Sequence, residues 1–280
     1  MKKTMTFEKE VITSRKNALV SEAAALLDKK GREAARAFRF DGVKLFLEAV
    51  SAGVALKYIF IKESERDKIS VTVENAYAKA KCKFCGRAVV LADHVFDKIT
   101  EEKGAQGIVC VAPYLDGLHI RISADGRIGE EVKKAMALSS VRDPGNIGTM
   151  LRSAGAFGID TLIMSADCAD IYNSKTVRAA MGALFRERIY IAENLAMALG
   201  GLRESGRRVF AADPDATARP IGEIGLRESD CIVIGNEGHG IAPDVREVCT
   251  GSVFIPISST TESLNASIAG AICMWEMSKL

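Results

Sequence analysis

Few side chains in this 280-residue chain are placed to do chemistry, and most of them fall in three short stretches. The first reads Val-Arg-Asp-Pro-Gly-Asn-Ile-Gly-Thr-Met-Leu-Arg from Val141 to Arg152. Asp143 to Asn146 has the residue types of a type II turn, with Asn146 as the N-cap of a following helix. On that helix Ile147, Met150, Leu151, Ala154 and Gly158 share a face suited to a core. The other face carries Gly148, Arg152, Gly155 and Ala156. One arginine among minimal side chains leaves room for a large molecule near the backbone, with Arg152 to meet it. An ordinary exposed arginine is the plainer alternative. The second stretch is Gly235-Asn-Glu-Gly-His-Gly240. Its glycines fall as G-x-x-G-x-G, which is not the dinucleotide fingerprint. The carboxylate of Glu237 suits a cationic or neutral ligand better than a phosphate. The third stretch, Ser258 to Asn265, puts Ser263 where it would cap a closing helix.

Other chemistries find little support. His94, His119 and His239 are scattered, with no partner spacing that suggests a triad. Cys82 and Cys85 form a C-x-x-C pair, but no second pair completes four zinc ligands, so no metal is expected. No apolar run reaches the roughly 18–20 residues of a membrane span. The start of the chain is charged and lacks the apolar centre of a signal peptide. Seven cysteines at irregular spacing fit reduced thiols, so a cytoplasmic protein is expected. The net charge of +2 hides an asymmetry: residues 1–117 carry 21 Lys and Arg against 16 Asp and Glu, while residues 118–280 carry 17 against 20. The excess lies within residues 1–40, in Arg15, Lys16, Lys29, Lys30, Arg32, Arg36 and Arg39 among others, and points to an anionic partner for the front of the chain.

The elements that must position these residues read as two α/β domains. In the first, a helix over Ala18 to Lys30 precedes a strand at Ala37 to Phe40, a helix over Gly42 to Ala52 and a strand at Tyr58 to Ile61. A helix at Glu74 to Lys81 and strands at Ala88 to Leu91 and Gly107 to Ala112 complete it. Strands alternating with helices imply a mostly parallel sheet. This domain is assigned residues 1–114, and 115–130 reads as a linker. The second domain, 131–280, has strands at Ala135 to Val141, Thr161 to Ser165, Arg208 to Ala212, Cys231 to Gly235 and Ser252 to Ile257. Its helices are the one after Asn146, Lys175 to Phe185, Asn194 to Glu204 and Ser263 to Leu280. Three of its strands empty into the three stretches above, and ligands of open α/β sheets bind beyond the carboxyl ends of strands. The closing helix is apolar nearly all round (Leu264, Ile268, Ala269, Ile272, Met274, Trp275, Met277), so it is buried in a core or a subunit contact.

Asn146-x5-Arg152, Ile234-Gly-Asn-Glu-Gly-His-Gly-Ile241 and Ile255-Pro-x6-Ser263-Leu-Asn265 together resemble the three motifs of the SpoU/TrmH family, the RNA ribose 2′-O-methyltransferases of the SPOUT superfamily. Residues 12–112 are similar to the family's N-terminal RNA-substrate-binding domain, through Ser14-Arg-Lys-Asn17, the helix after Phe40-Asp-Gly and the stretch from His94 to Gly107. The resemblance implies a trefoil knot in the second domain, S-adenosylmethionine as cofactor, and a homodimer through that domain with the Arg152 helix near the partner. It matches Gly235, Ile255 and Leu264 to positions whose backbones hold the cofactor. Asn146, Arg152, Glu237, Ser263 and Asn265 match the catalytic set. Ser139-Ser140 and Ser258-Ser259-Thr260 depart from the family pattern beside the expected cofactor pocket.

The implied reaction carries a methyl group from a sulfonium cation to a weak nucleophile, so it requires in-line approach and a group that orients the hydroxyl. A guanidinium is a poor base. Arg152 therefore suits gripping a phosphate and aiming the hydroxyl, with the proton acceptor left open. Large-subunit rRNA is the expected substrate. A tRNA 2′-O-methyltransferase, or a non-catalytic RNA-binding or ribosome-assembly factor of the same fold, are the alternatives.

Overall fold

The computed structural model describes residues 10–101, 106–128 and 132–280. They form two compact units: the residues up to Leu115 with Tyr172–Phe185, and Asp116–Ile171 with Arg186–Leu280.

In chain order the first unit has β1 (Val11–Ile12), α1 (Ala18–Ala25), α2 (Lys29–Ala35), β2 (Ala37–Asp41), α3 (Val43–Ser51), β3 (Tyr58–Lys62), α4 (Arg66–Ala80), β4 (Arg87–Leu91), α5 (Asp93–Phe96) and β5 (Ile108–Pro113). The sheet runs β1-β4-β3-β5-β2. β1, β4 and β3 are parallel, but β5 is antiparallel to both its neighbours, so the sheet is mixed where a mostly parallel one was expected. Only β5 is reversed: it lies between β3 and β2, which run in the same direction as each other.

One helix was expected over Ala18 to Lys30, and two are found. The buried Arg32 explains the break: its Nη1 donates to Leu26 O at 3.0 Å and Leu27 O at 2.7 Å, satisfying carbonyls left open where α1 ends. Arg39 is also buried, its Nη1 donating to Asp41 Oδ1 and to Ile99 O, each at 2.6 Å. Two of the bases assigned to an anionic partner thus hold the fold together.

The second unit contains β6 (His119–Ile122), β7 (Ala135–Leu138), α6 (Pro144–Phe157) and β8 (Thr161–Ser165). After α7 (Ser174–Ala180), which belongs to the first unit, follow β9 (Arg188–Ala192), α8 (Leu195–Glu204), β10 (Val209–Ala212), β11 (Arg219–Pro220), β12 (Cys231–Ile234), α9 (Pro243–Glu247), β13 (Gly251–Phe254) and α10 (Ala266–Ser278). All eight strands pair in parallel, in the order β11-β13-β10-β12-β7-β8-β9-β6. β7 and β12 are buried at every position, as parallel strands covered on both faces must be. β6 lies within the stretch expected to be a linker, whose residues 129 and 130 fall outside the described ones. His-Ile-Arg-Ile alternates polar and apolar and sits at the sheet edge, where Arg121 is exposed while His119 turns inward and is buried.

α10 packs on α6 at Gly270, where an added Cβ would come within 2.9 Å of Met150 Sδ. Met274 and Met277 are buried in this packing, whereas Ile268 and Trp275 are exposed. No helix among the described residues is long and apolar enough to cross a membrane.

The segment Tyr172–Phe185 completes the first unit's core. Tyr172 stacks on Tyr114 with ring centroids 4.1 Å apart and meets Phe38 at 4.6 Å. Phe185 packs on Phe40 at 5.1 Å. The helix expected over Lys175 to Phe185 stops at Ala180, because Met181 is left-handed at φ 48°.

Candidate active site

β7 delivers the chain to α6 through Ser139 to Asp143. Asp143, not Asn146, caps the helix: its Oδ1 accepts from Asn146 N at 2.9 Å. Pro144 takes the first helical position, where its fixed φ and missing N–H are tolerated, and Gly145 is helical, so no type II turn forms. Ile147, Met150, Leu151 and Ala154 face the core as expected. Gly148 is also buried, and Gly158 closes the helix in a left-handed conformation at φ 67°. Because Asp143 does the capping, the Asn146 side chain is free for other partners. Its Nδ2 donates to Glu237 Oε1 at 2.6 Å, and its Oδ1 accepts from Asn265 Nδ2 at 3.2 Å.

Glu237 rides on a tight loop after β12. Asn236 N donates to Gly240 O at 2.8 Å and Gly240 N to Asn236 O at 3.0 Å, closing the loop on itself. The Asn236 side chain stiffens it, with Oδ1 accepting from Gly238 N and His239 N and Nδ2 donating to Ser140 O at 2.8 Å. Gly235 admits no side chain, since a Cβ there would lie 2.4 Å from the Gly240 carbonyl carbon. Asn236 was not singled out in the sequence: its role depends on Ser140, 96 positions away.

The closing helix starts later than expected, and Asn265 is its cap in place of Ser263. Asn265 Oδ1 accepts from Ser267 N at 2.9 Å and Ile268 N at 3.3 Å. The same side chain therefore starts α10 with its oxygen and reaches Asn146 with its nitrogen. Ser263 is exposed and bonded to no described residue, and Ile255 and Leu264 are half-buried on the same loop. Asn146, Glu237 and Asn265 thus form one hydrogen-bonded chain that joins the first turn of α6, the loop after β12 and the cap of α10. Arg152 does not join it. Six residues beyond Asn146, it lies about 9 Å along α6 and about 120° around it, exposed and without a polar partner among the described residues. Among those residues no group of three His, Cys, Asp or Glu could hold a metal ion, and Cys82 and Cys85 are free and exposed.

In the first unit Arg15 and Lys16 are exposed on the loop before α1. Arg15 Nε donates to His94 O at 3.0 Å, and Lys98 Nζ donates to Arg15 O at 2.8 Å, so this basic loop is fastened to α5 and to the turn that follows it.

Residues 133–275 match the model of the SpoU rRNA Methylase family. The chain belongs to that family. Residues 17–110 match an MRM3-like substrate binding domain. This SpoU chain is 28% identical to the 23S rRNA (guanosine(2553)-2′-O)-methyltransferase RlmP of Bacillus subtilis, over 95% of its own length and 98% of that protein. It is 31% identical to the 23S rRNA (guanosine-2′-O-)-methyltransferase RlmB of Bordetella pertussis, covering 79% of itself and 88% of the relative. A crystal structure of an AdoMet-bound rRNA methyltransferase from Sinorhizobium meliloti superposes with a TM-score of 0.79 at 25% identity, covering 96% of this chain and 97% of that one.

Proposed function

We propose that this chain transfers a methyl group from S-adenosylmethionine to a ribose 2′-hydroxyl of 23S rRNA. The observation that carries the reading is the Asn265–Asn146–Glu237 chain of hydrogen bonds, assembled from the three family motifs at the carboxyl edge of the parallel sheet. The residues fit the cofactor. The closed loop at Gly235 presents backbone groups where no side chain can stand, and Glu237 places a negative charge beside them, which suits a sulfonium cation. Gly235, Ile255 and Leu264 would hold the cofactor through their backbones. When bound, it supplies an electrophilic methyl group. Asn146 and Asn265 fix the loops relative to each other, and Glu237 holds the Asn146 amide in one orientation. Ser263, exposed on the third loop, is available to the incoming ribose.

Arg152 grips a phosphate next to the target ribose and aims its hydroxyl. Within one chain it faces away from Asn146, so we assign it to the site of a second copy. Ile268 and Trp275, on α10 beside α6, give that homodimer an apolar face. The exposed bases Arg15, Lys16 and Lys98 of the first unit bind rRNA. The family's trefoil knot, formed by the closing segment, and a cytoplasmic location complete the proposal.

The test is methyl transfer by the purified protein to rRNA from cells lacking its gene, with 2′-O-methyl positions mapped by primer extension. A single new site in 23S rRNA is expected. Methylation of tRNA alone would overturn the substrate, and RNA binding without methylation would leave an assembly factor.

A further inference from the structure

Ser139 and Ser140 depart from the family pattern, and the structure gives both a task. Ser139 is buried; its N–H donates to Ile234 O at 2.8 Å and its Oγ accepts from Ala242 N at 3.4 Å. Ser140 is left-handed at φ 55°, which costs a residue with a Cβ free energy and persists only where the surroundings impose it. Three contacts impose it. Ser140 N donates to Ser165 Oγ at 2.8 Å, its carbonyl accepts from Asn236 Nδ2 at 2.8 Å, and its Oγ donates to Asp167 Oδ2 at 2.8 Å.

Asp167 gathers the other ends of this arrangement. Its Oδ1 accepts from Ser165 Oγ at 2.6 Å, and its Oδ2 also accepts from Arg142 Nη2 at 2.7 Å. Partial burial alone would raise the Asp167 carboxyl. The hydrogen bonds from Ser165 and Ser140 and the Arg142 charge outweigh it and hold the group below the usual carboxylate range. The loops after β7 and β8 are thereby clamped to one carboxylate, and neither Asp167 nor its partners belong to the polar chain of the site.

We propose that Asp167 is a positioning residue: it holds Ser140 in its left-handed conformation, the Ser140 carbonyl fixes Asn236, and Asn236 shapes the loop that brings Glu237 to Asn146. The catalytic part of this inference rests on the function proposed above. The structural part does not. A carboxylate is required because the group must accept three hydrogen bonds at once, and an amide has a donor where one acceptor stood. The position is sensitive because misplacing a positioning group by about 1 Å can cost about a hundredfold in rate.

The test uses full-length protein carrying Asp167→Asn, Asn236→Ala, both together, or Ser140→Gly, the last keeping the left-handed conformation accessible so that the fold is not strained. Hydrogen exchange is followed at Gly238 and His239, whose amides donate to Asn236 Oδ1, with no cofactor or RNA added. Exchange there should quicken in Asp167→Asn and Ser140→Gly while β7, β8 and β12 stay protected. With a 23S rRNA transcript and S-adenosylmethionine, kcat should fall about tenfold or more in Asp167→Asn. The double variant should be no slower than Asn236→Ala alone, as expected when two residues act along one path. Unchanged exchange at Gly238 and His239, or losses in kcat that multiply as for independent sites, would overturn the proposal. If the wild-type protein transfers no methyl group, the proposed function fails, and the exchange data still decide what Asp167 does.

Discussion

Asn146→Asp is the sharpest perturbation of the site, because it changes charge with almost no change in shape. In the native protein the Asn146 amide donates to Glu237 at 2.6 Å and accepts from Asn265 at 3.2 Å. An aspartate keeps the second contact, since either carboxylate oxygen accepts. The first contact becomes carboxylate against carboxylate. Two like charges relaxed to about 4 Å repel by about 1 kcal/mol in water and about 4 kcal/mol in a partly buried setting. Position 146 is 8% exposed while Glu237 is open to solvent, and that exposure screens the pair. A loss of about 2 kcal/mol follows, or about thirtyfold in the equilibrium between the native and a separated loop. Urea unfolding measures the loss, and initial rates of methyl transfer report its effect on the site. The double variant Asn146→Asp with Glu237→Gln restores a donor facing an acceptor, in the reverse sense, and should regain most of the stability. If it is no more stable than Asn146→Asp alone, the two side chains are not hydrogen-bonded partners and the reasoning fails.

Arg152→Ala should abolish methyl transfer while calorimetry shows nearly unchanged S-adenosylmethionine binding. Arg152→Lys should fail too, because an ammonium lacks the planar two-pronged geometry. Trp275→Glu, or Ile268→Glu, should convert a dimer to an inactive monomer by light scattering, since a carboxylate buried without a partner costs several kcal/mol. Deleting residues 1–112 should yield a protein that aggregates by light scattering, because Tyr172 and Phe185 lose the aromatic rings they pack on. Tyr172→Ser with Phe185→Ser should relieve that aggregation.

Much of the second sheet was legible because its central strands are short apolar runs bounded by turn residues, and Thr161–Ser165 matches to the residue. Helix starts were less so. The stretches before α6 and α10 each offer several residues able to cap, and local sequence does not rank them. At α6 the choice falls to Asp143 because Pro144 must follow it. At α10 it falls to Asn265, whose amide nitrogen meets Asn146, 119 positions away. Strands β6 and β9 are hard to read from the sequence for another reason. They lie toward one edge of the sheet, where alternating polar residues dilute the apolar signal. The residue types of the site could be picked out by motif, but not their grouping. That Asn146 meets Glu237 and Asn265 while Arg152 stands apart depends on the different faces of α6 that Asn146 and Arg152 occupy. Ser140 shows only as a departure from the family pattern, and Asp167 gives no local signal at all.

The excursion of Tyr172–Phe185 into the first unit has a consequence for the order of events during synthesis. The sheet of that unit is complete once Pro113 has been made, yet β2 still lacks the rings that cover it. Those rings belong to residues made roughly 60 to 70 positions later, a delay of about 3 to 14 seconds at typical rates of about 5–20 residues per second. Throughout that interval Phe38 and Phe40 are open to water or to a chaperone. The nascent protein cannot finish its first unit before it has begun its second.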